Sequence, residues 1–231
     1  MTPPVITIDG PAGSGKTTLG RRLATSLGLP LVDTGLFYRG VMVAAARAGI
    51  DPNDRDALID CARRASVVID TDPTHEDADR AANVNGTEAG PALRDPANAP
   101  LLAAMSSIPE VRAALLDAQR RLAGAGAIAV GRDCGTVVFP GAQLKLYLDA
   151  SEAVRAQRRA SQLRGTGNGG DADGALLHGE VGARDRIDAS RSAAPMRPAA
   201  DAHVLDTGVL GIDAVVQAAL ELWAAAAAAR R

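Results

Sequence analysis

The stretch Val5-Ile6-Thr7-Ile8-Asp9-Gly10-Pro11-Ala12-Gly13-Ser14-Gly15-Lys16-Thr17-Thr18 decides the fold. Its first four residues are a β-branched run bounded by Asp9-Gly10, which predicts a short buried strand. From Lys16 onward Leu19, Leu23 and Leu27 recur every four positions, the stripe of an amphipathic helix, and Gly28 stops it. Between strand and helix, Gly10 to Thr17 fits the pattern G-x-x-x-x-G-K-[ST] in full. Gly13 and Gly15 let the backbone take conformations closed to residues with a Cβ, so that successive N–H groups converge on one anion. The helix dipole adds about 1 kcal/mol beside a phosphate. Lys16 is expected to reach the β- and γ-phosphates of a nucleoside triphosphate, and the Thr17 hydroxyl to ligate Mg²⁺.

Outward from this unit the pattern repeats. Residues 29–33 read as a second strand, followed by Thr34-Gly35 and a helix to about residue 48. Asp51-Pro52-Asn53-Asp54 reads as a turn and N-cap ahead of a helix over 57–65. Residues 67–70 are strand-like, 71–80 are polar, and Asn85-Gly86 is the signature of a type I′ hairpin. The stretch through Pro100 lacks apolar periodicity. Residues 67–100 are therefore expected as a small β-rich insert in a core made of 1–66 and 101–231. Helix returns at Pro109–Leu122, with proline in its favoured first turn. Residues 128–130 and 144–148 are further strands; the first feeds Gly131-Arg132-Asp133, the second a helix to 163 capped by Ser151. Residues 165–174 are too rich in glycine to hold one conformation. A helix near 180–190, a strand over 203–205 and an Ala-rich helix over 212–229 complete the chain. Five strands alternating with helices imply a parallel sheet covered on both faces.

Composition bounds the function. The 231 residues suit one mid-sized domain with a smaller excursion, and 47% hydrophobic content is enough for a sizeable core. Aromatics are only 2%, which argues against the stacking platforms of single-stranded nucleic-acid binding, and a net charge of −2 offers no field for polyanions. Cys61 and Cys134 are widely spaced, and His75, His178 and His203 are scattered, so neither a disulfide framework nor a zinc site is expected. The absence of a membrane-length apolar run and of a basic leader predicts a cytoplasmic chain with no membrane or nucleic-acid partner.

Lys16 and Lys145 are the only lysines, so the Asn-Lys-x-Asp guanine-reading loop of a GTPase cannot exist, and no LSGGQ-like signature of an ABC-type ATPase appears. Leu144–Asp149 admits a Walker-B reading, competing with one in which Asp149 merely supports the turn at Ser151. A small phosphotransferase remains. Such enzymes gather arginines around the transferred group, since catalysis is mostly positioning and charge neutralisation. Arg39, Arg112 and Arg132 lie near loops; Arg155, Arg158 and Arg159 share one helix face, and Arg184, Asp188 and Arg191 another, bracketing the glycine-rich run.

Four segments then make a specific resemblance. These are residues 6–18, Asp33-Thr-Gly-Leu-Phe-Tyr-Arg39, Gly131-Arg-Asp-Cys-Gly-Thr-Val-Val-Phe-Pro140 and Arg184-Asp-Arg-Ile-Asp-Ala-Ser-Arg191. In this order they resemble the bacterial cytidylate kinases, or (d)CMP kinases, among the nucleoside monophosphate kinases. Val84-Asn-Gly-Thr-Glu88 and Pro91-Ala-Leu-Arg94 resemble that family's extra acceptor-side domain. The resemblance implies a P-loop kinase fold with a five-stranded parallel sheet, a β-rich insert and a mobile lid over about 160–183. It implies a monomer using ATP with Mg²⁺ to phosphorylate CMP and dCMP. Thr34, Arg39, Arg112, Arg132, Asp133, Arg184, Asp188 and Arg191 would surround the acceptor. Asp133 and Arg112 would read the cytosine edge and Asp188 the ribose hydroxyls. Arg39, Arg132 and Arg191 would hold the CMP phosphate, while Lys16, Arg158, Arg159 and Arg184 would meet the transferring group.

Three positions depart from the family pattern. Val130 stands where an acidic residue usually precedes Gly-Arg-Asp, leaving Thr17, the phosphates and Asp9 or Asp133 to hold Mg²⁺. Ala103 replaces a base-contacting serine, and Ile187 an arginine. The rival expectations are a kinase for another acceptor (UMP, AMP or shikimate) and a non-catalytic ATP-sensing module.

Overall fold

The computed structural model describes residues 3–75, 82–165 and 196–229. Five parallel strands make the central sheet: β1 (Val5–Asp9), β2 (Leu31–Asp33), β6 (Ala127–Val130), β7 (Leu144–Asp149) and β8 (His203–Asp206). Their spatial order is β2-β6-β1-β7-β8, with Ile8 opposite Val130 on one side and Leu146 on the other. The chain winds to one side of β1 for β2 and β6, then crosses to the other for β7 and β8. The loops leaving β1 and β6 therefore emerge side by side at the carboxyl end of the sheet, the crevice where open α/β sheets bind ligands.

Helix α1 (Lys16–Leu27) follows the first strand, ending on Gly28 at φ 63°, whose N–H reaches back to the carbonyls of Ala24 and Thr25. It lies against the sheet at Gly20, where a Cβ would come within 2.7 Å of Val130 Cγ1. Helix α2 (Thr34–Arg47) starts on Asp33, whose carboxylate accepts from Gly35 N at 2.9 Å, and α3 (Arg55–Arg64) starts on Asp54, which accepts from Ala57 N at 3.0 Å. Helix α5 (Pro109–Leu122) carries its proline in the first turn, and α6 (Glu152–Gly165) follows Ser151, whose hydroxyl accepts from Val154 N. The last helix, α7 (Ile212–Ala228), packs on α1 through Val215 and Ala219.

A second, antiparallel sheet is formed by β3 (Val67–Ile69), β4 (Ala82–Val84) and β5 (Thr87–Glu88). Asn85 and Gly86 join the last two at φ 54° and 80°, the two positive angles of the expected type I′ turn. This sheet has no core of its own: Ile69, Ala82 and Val84 bury themselves with Phe37, Val41 and Leu93 in a cluster that also takes in α3 and α5.

The structure corrects and adds to these expectations. The stretch read as loop through Pro100 holds two 3₁₀ turns, Gly90–Arg94 and Pro96–Asn98, and then a helix, α4 (Ala99–Ser107). Pro100 lies in its first turn, where a missing N–H costs nothing, so a proline opens the helix. After β6 the chain makes a single π-helical turn, Cys134–Val138, which no apolar period announces. The second strand begins at Leu31, two residues later than expected. The helix expected near 180–190, most of the lid at 160–183, and Arg184, Asp188 and Arg191 lie outside the described residues.

Candidate active site

The loop after β1 is built as its glycines require. Gly10, Gly13 and Gly15 stand at φ 144°, 76° and 91°, and a Cβ on Gly10 would sit 2.2 Å from the Leu148 carbonyl oxygen. Lys16 is buried and curls back over the loop, its Nζ donating to the Pro11 carbonyl at 2.6 Å and lying 3.5 Å from Ser14 Oγ. Thr17 is half-buried on the first turn of α1, and Thr18 beside it is exposed.

Distant segments hold the loop from outside. Arg155 is buried on α6 and donates to the Ala150 carbonyl through Nε and to the Ala12 carbonyl through Nη1, both at 3.0 Å. Thr207, just past β8, has its hydroxyl 3.1 Å from the Ser14 carbonyl and 3.0 Å from that of Asp149. Arg158 donates to the same hydroxyl at 3.1 Å and to the Thr207 carbonyl at 2.6 Å. A cavity of about 470 Å³ opens between these groups, floored by Gly13, Ser14 and Gly15 and walled by Arg158, Leu210, Ile212 and Val215. Its size suits a small-molecule ligand. The apolar wall was not singled out from the sequence, although Asp206-Thr207-Gly208 leaves a strand at the same sheet end as Gly10 and could have signalled it.

Beside the loop, the segment after β6 carries a second constellation. Asp133 and Arg112 form an ion pair whose side chains are only 8% and 10% exposed. The Arg112 guanidinium also donates to the Ser106 carbonyl at 3.3 Å and lies 5.3 Å from the centre of the Tyr38 ring. A charge pair so removed from water persists only because each partner is matched. Thr34 fixes the start of α2 to this segment, donating to the Val130 carbonyl at 3.0 Å and touching Cys134 Sγ at 3.6 Å. Arg39, one residue beyond Tyr38, donates to the Leu93 carbonyl at 2.7 Å and so ties α2 to the 3₁₀ turn that follows the small sheet. Arg132 is half-buried directly after the strand.

Asp9 stands between the two constellations. Its carboxylate accepts from Cys134 N at 2.8 Å and Gly135 N at 2.7 Å. Burial outweighs those two bonds and raises its pKa from 3.8 to about 6. Burial likewise pushes the Cys134 thiol well above the ordinary range, so it is a small apolar filler.

The cytidylate kinase family model matches residues 6–225. The chain belongs to the cytidylate kinase family. It is 46% identical over 218 residues to the cytidylate kinase of Methylocella silvestris, covering 94% of this chain and 92% of that one. It is 42% identical to the cytidylate kinase of Rhodococcus opacus, over 92% of this chain and 91% of its relative. An uncharacterized protein of Eubacterium ventriosum shares the fold, with a TM-score of 0.50 at 13% identity over 94% of this chain and 96% of that one.

Of the residues the cytidylate kinase resemblance nominated, Gly13, Ser14, Gly15, Thr18 and Arg158 line the cavity, Lys16 and Thr17 stand on the adjoining first turn of α1, and Arg112 pairs with Asp133 after β6. Arg159 lies on α6, its side chain outside the described set. Among the departures, Val130 is 1% exposed and packs into the α1 face of the sheet against Gly20. Position 130 therefore contributes apolar packing to the core. Ala103 is exposed on α4, and Ile187 lies outside the described residues.

Proposed function

We propose that this chain transfers the γ-phosphoryl group of ATP to CMP or dCMP, giving ADP and the nucleoside diphosphate. The observation that carries this reading is the buried Arg112–Asp133 pair, set at the same sheet end as the phosphate-binding loop. A carboxylate accepts from the exocyclic N4 amine of cytosine but repels the O4 of uracil, and a guanidinium donates to the neighbouring ring acceptors. With the monophosphate in place, an oxygen of its phosphate bonds to the γ-phosphorus. The bond from that phosphorus to the β–γ bridging oxygen breaks, and its electron pair leaves with ADP.

The loop N–H groups and Lys16 would neutralise charge on the β- and γ-oxygens, with Lys16 exchanging the Pro11 carbonyl for a phosphate oxygen. Arg158 would turn from Thr207 toward the transferring group, joined by Arg159 and Arg184. Arg39, Arg132 and Arg191 would bind the acceptor phosphate, and Asp188 its ribose. For Mg²⁺ the fitting donor is the Thr17 hydroxyl, because both Asp9 oxygens already accept N–H bonds and Asp133 is paired with Arg112. Mg²⁺, when bound, supplies charge neutralisation across the β- and γ-phosphates. Among the described residues no group of three or more His, Cys, Asp or Glu is gathered to hold a metal, which suits an ion carried mainly by the nucleotide.

Residues 67–100 would serve as the acceptor-side insert, and residues about 160–183 as the lid that shields the reaction from water. A monomer in the cytoplasm completes the reading; among the described residues no single helix is long and apolar enough to cross a membrane. A coupled ADP-release assay over CMP, dCMP, UMP, AMP and GMP tests it. CMP and dCMP are expected to turn over fastest, and faster turnover with AMP would overturn the acceptor assignment.

A further inference from the structure

We infer that Asp9 is a positioning residue for recognition of the acceptor base: its carboxylate holds the turn at Cys134–Gly135 and thereby aims Asp133. This rests on the reading that Asp133 receives cytosine.

Three observations carry it. Asp9 is 5% exposed, and its two oxygens divide between two consecutive backbone N–H groups, Oδ1 with Cys134 and Oδ2 with Gly135. Those N–H groups belong to the two residues directly after Asp133, at the start of the π-helical turn. The turn's own bonds, from Val137 N and Val138 N to the Asp133 carbonyl and from Phe139 N to that of Cys134, leave the N–H groups of Cys134 and Gly135 to Asp9. Gly135 leaves no slack there: a Cβ would lie 2.9 Å from Thr7 Oγ1 and 3.3 Å from Asp9 Oδ2. Arg112 pairs with the Asp133 carboxylate, and the backbone directly after Asp133 is anchored by a side chain 124 positions earlier, which ends the strand leading into the phosphate-binding loop.

The donor loop is fastened differently. Its ties run from Arg155 to Ala12, from Thr207 to Ser14 and from Lys16 to Pro11, and none uses the Asp9 carboxylate. Loss of the carboxylate should therefore register on the acceptor and not on ATP.

The experiment is a double-mutant cycle of Asp9→Asn and Asp133→Asn, read as KM for CMP, UMP and ATP, kcat, and thermal unfolding. An asparagine at 9 presents its amide N–H₂ to one of the two backbone donors, so one bond is lost. At 133 an amide rotates to accept from N4 or donate to O4, so base preference collapses. Asp9→Asn is expected to raise the CMP KM about tenfold and cut CMP-over-UMP preference by a similar factor, with the ATP KM within about twofold. In the double variant the loss of preference should not exceed that of Asp133→Asn alone, because both act through one carboxylate. Additive losses, or an unchanged CMP KM in Asp9→Asn, overturn the inference. Should Asp9→Asn fail to fold, Asp9→Glu carries the same test, since it keeps both acceptors on a longer stem and is expected to show a smaller split of the same sign. An Asp133→Asn enzyme that keeps its CMP preference would instead sink the underlying reading of the base site.

Discussion

The Thr207 hydroxyl accepts from Arg158 and shares its single proton between the carbonyls of Ser14 and Asp149, so one side chain joins α6, β7, β8 and the phosphate-binding loop. Thr207→Val keeps the shape and removes the hydroxyl. The Asp149 carbonyl keeps the Thr207 N–H at 2.8 Å, but the Ser14 carbonyl loses this partner inside the protein. The expected cost is about 1–2 kcal/mol of stability in urea unfolding. Kinetically, the ATP KM should rise several-fold while the CMP KM stays put; an unmoved ATP KM would show that Ser14 does not need this tie. The loop itself was legible because its chemistry is contiguous, with every residue type dictated by an anion and a tight turn. Thr207 was not, since 193 positions separate it from Ser14 and a threonine after a strand has many ordinary reasons to be there. Arg112 and Asp133 were each nominated, but their pairing, and the Tyr38 ring beneath, emerge only when α2, α5 and β6 converge.

At the scale of elements, helix α2 meets β3 at Gly40, where a Cβ would lie 2.5 Å from Val67 Cγ1, 2.9 Å from Cγ2 and 3.3 Å from Cβ. Rotating the valine cannot clear all three contacts, so Gly40→Ala must push the small sheet off the helix. Overpacking of this kind costs about 1–3 kcal/mol, against roughly 1 kcal/mol gained by alanine in a helix. Net destabilisation of up to about 2 kcal/mol is expected by urea unfolding, and Val67→Ala in the same chain should recover most of it. A Gly40→Ala protein as stable as the parent would mean that the sheet yields freely. Strands such as Val5–Asp9 and helices such as Arg55–Arg64 were readable because β-branched runs, leucine spacing and aspartate caps are local signals. The helix over Ala99–Ser107 was hidden because its period is blurred: Leu101, Leu102 and Met105 sit among alanines, and its burial is decided by contact with α2 and α5.

Across the whole molecule, two cores lie on opposite faces of the sheet. One joins α1 and α7 to Ile6, Ile8, Val130 and Leu146; the other unites α2, α3, α4 and α5 with the small sheet. Asp9 is the acidic group buried between strand and turn at the site, and its cost is felt by the fold as a whole. Its pKa is about 6 folded against an ordinary 3.8, so between those values the folded chain binds more protons than the unfolded one. Its contribution to stability is therefore greatest below about pH 4 and is lost as pH rises through 6, by roughly 3 kcal/mol for a shift of this size. Other carboxyls act in the opposite sense: Arg55 beside Glu110 and Lys145 beside Asp201 hold those groups low, so what they add is lost as pH falls. The first is an exposed surface pair and contributes little, and in the second the carboxylate is exposed while Lys145 is buried. Subtraction isolates Asp9. Urea unfolding of the parent and of Asp9→Asn at pH 4 and pH 7 should show the parent losing roughly 2–2.5 kcal/mol relative to the variant over that interval. A difference that stays level or moves the other way would mean that the two N–H bonds outweigh desolvation and that the carboxylate is charged throughout.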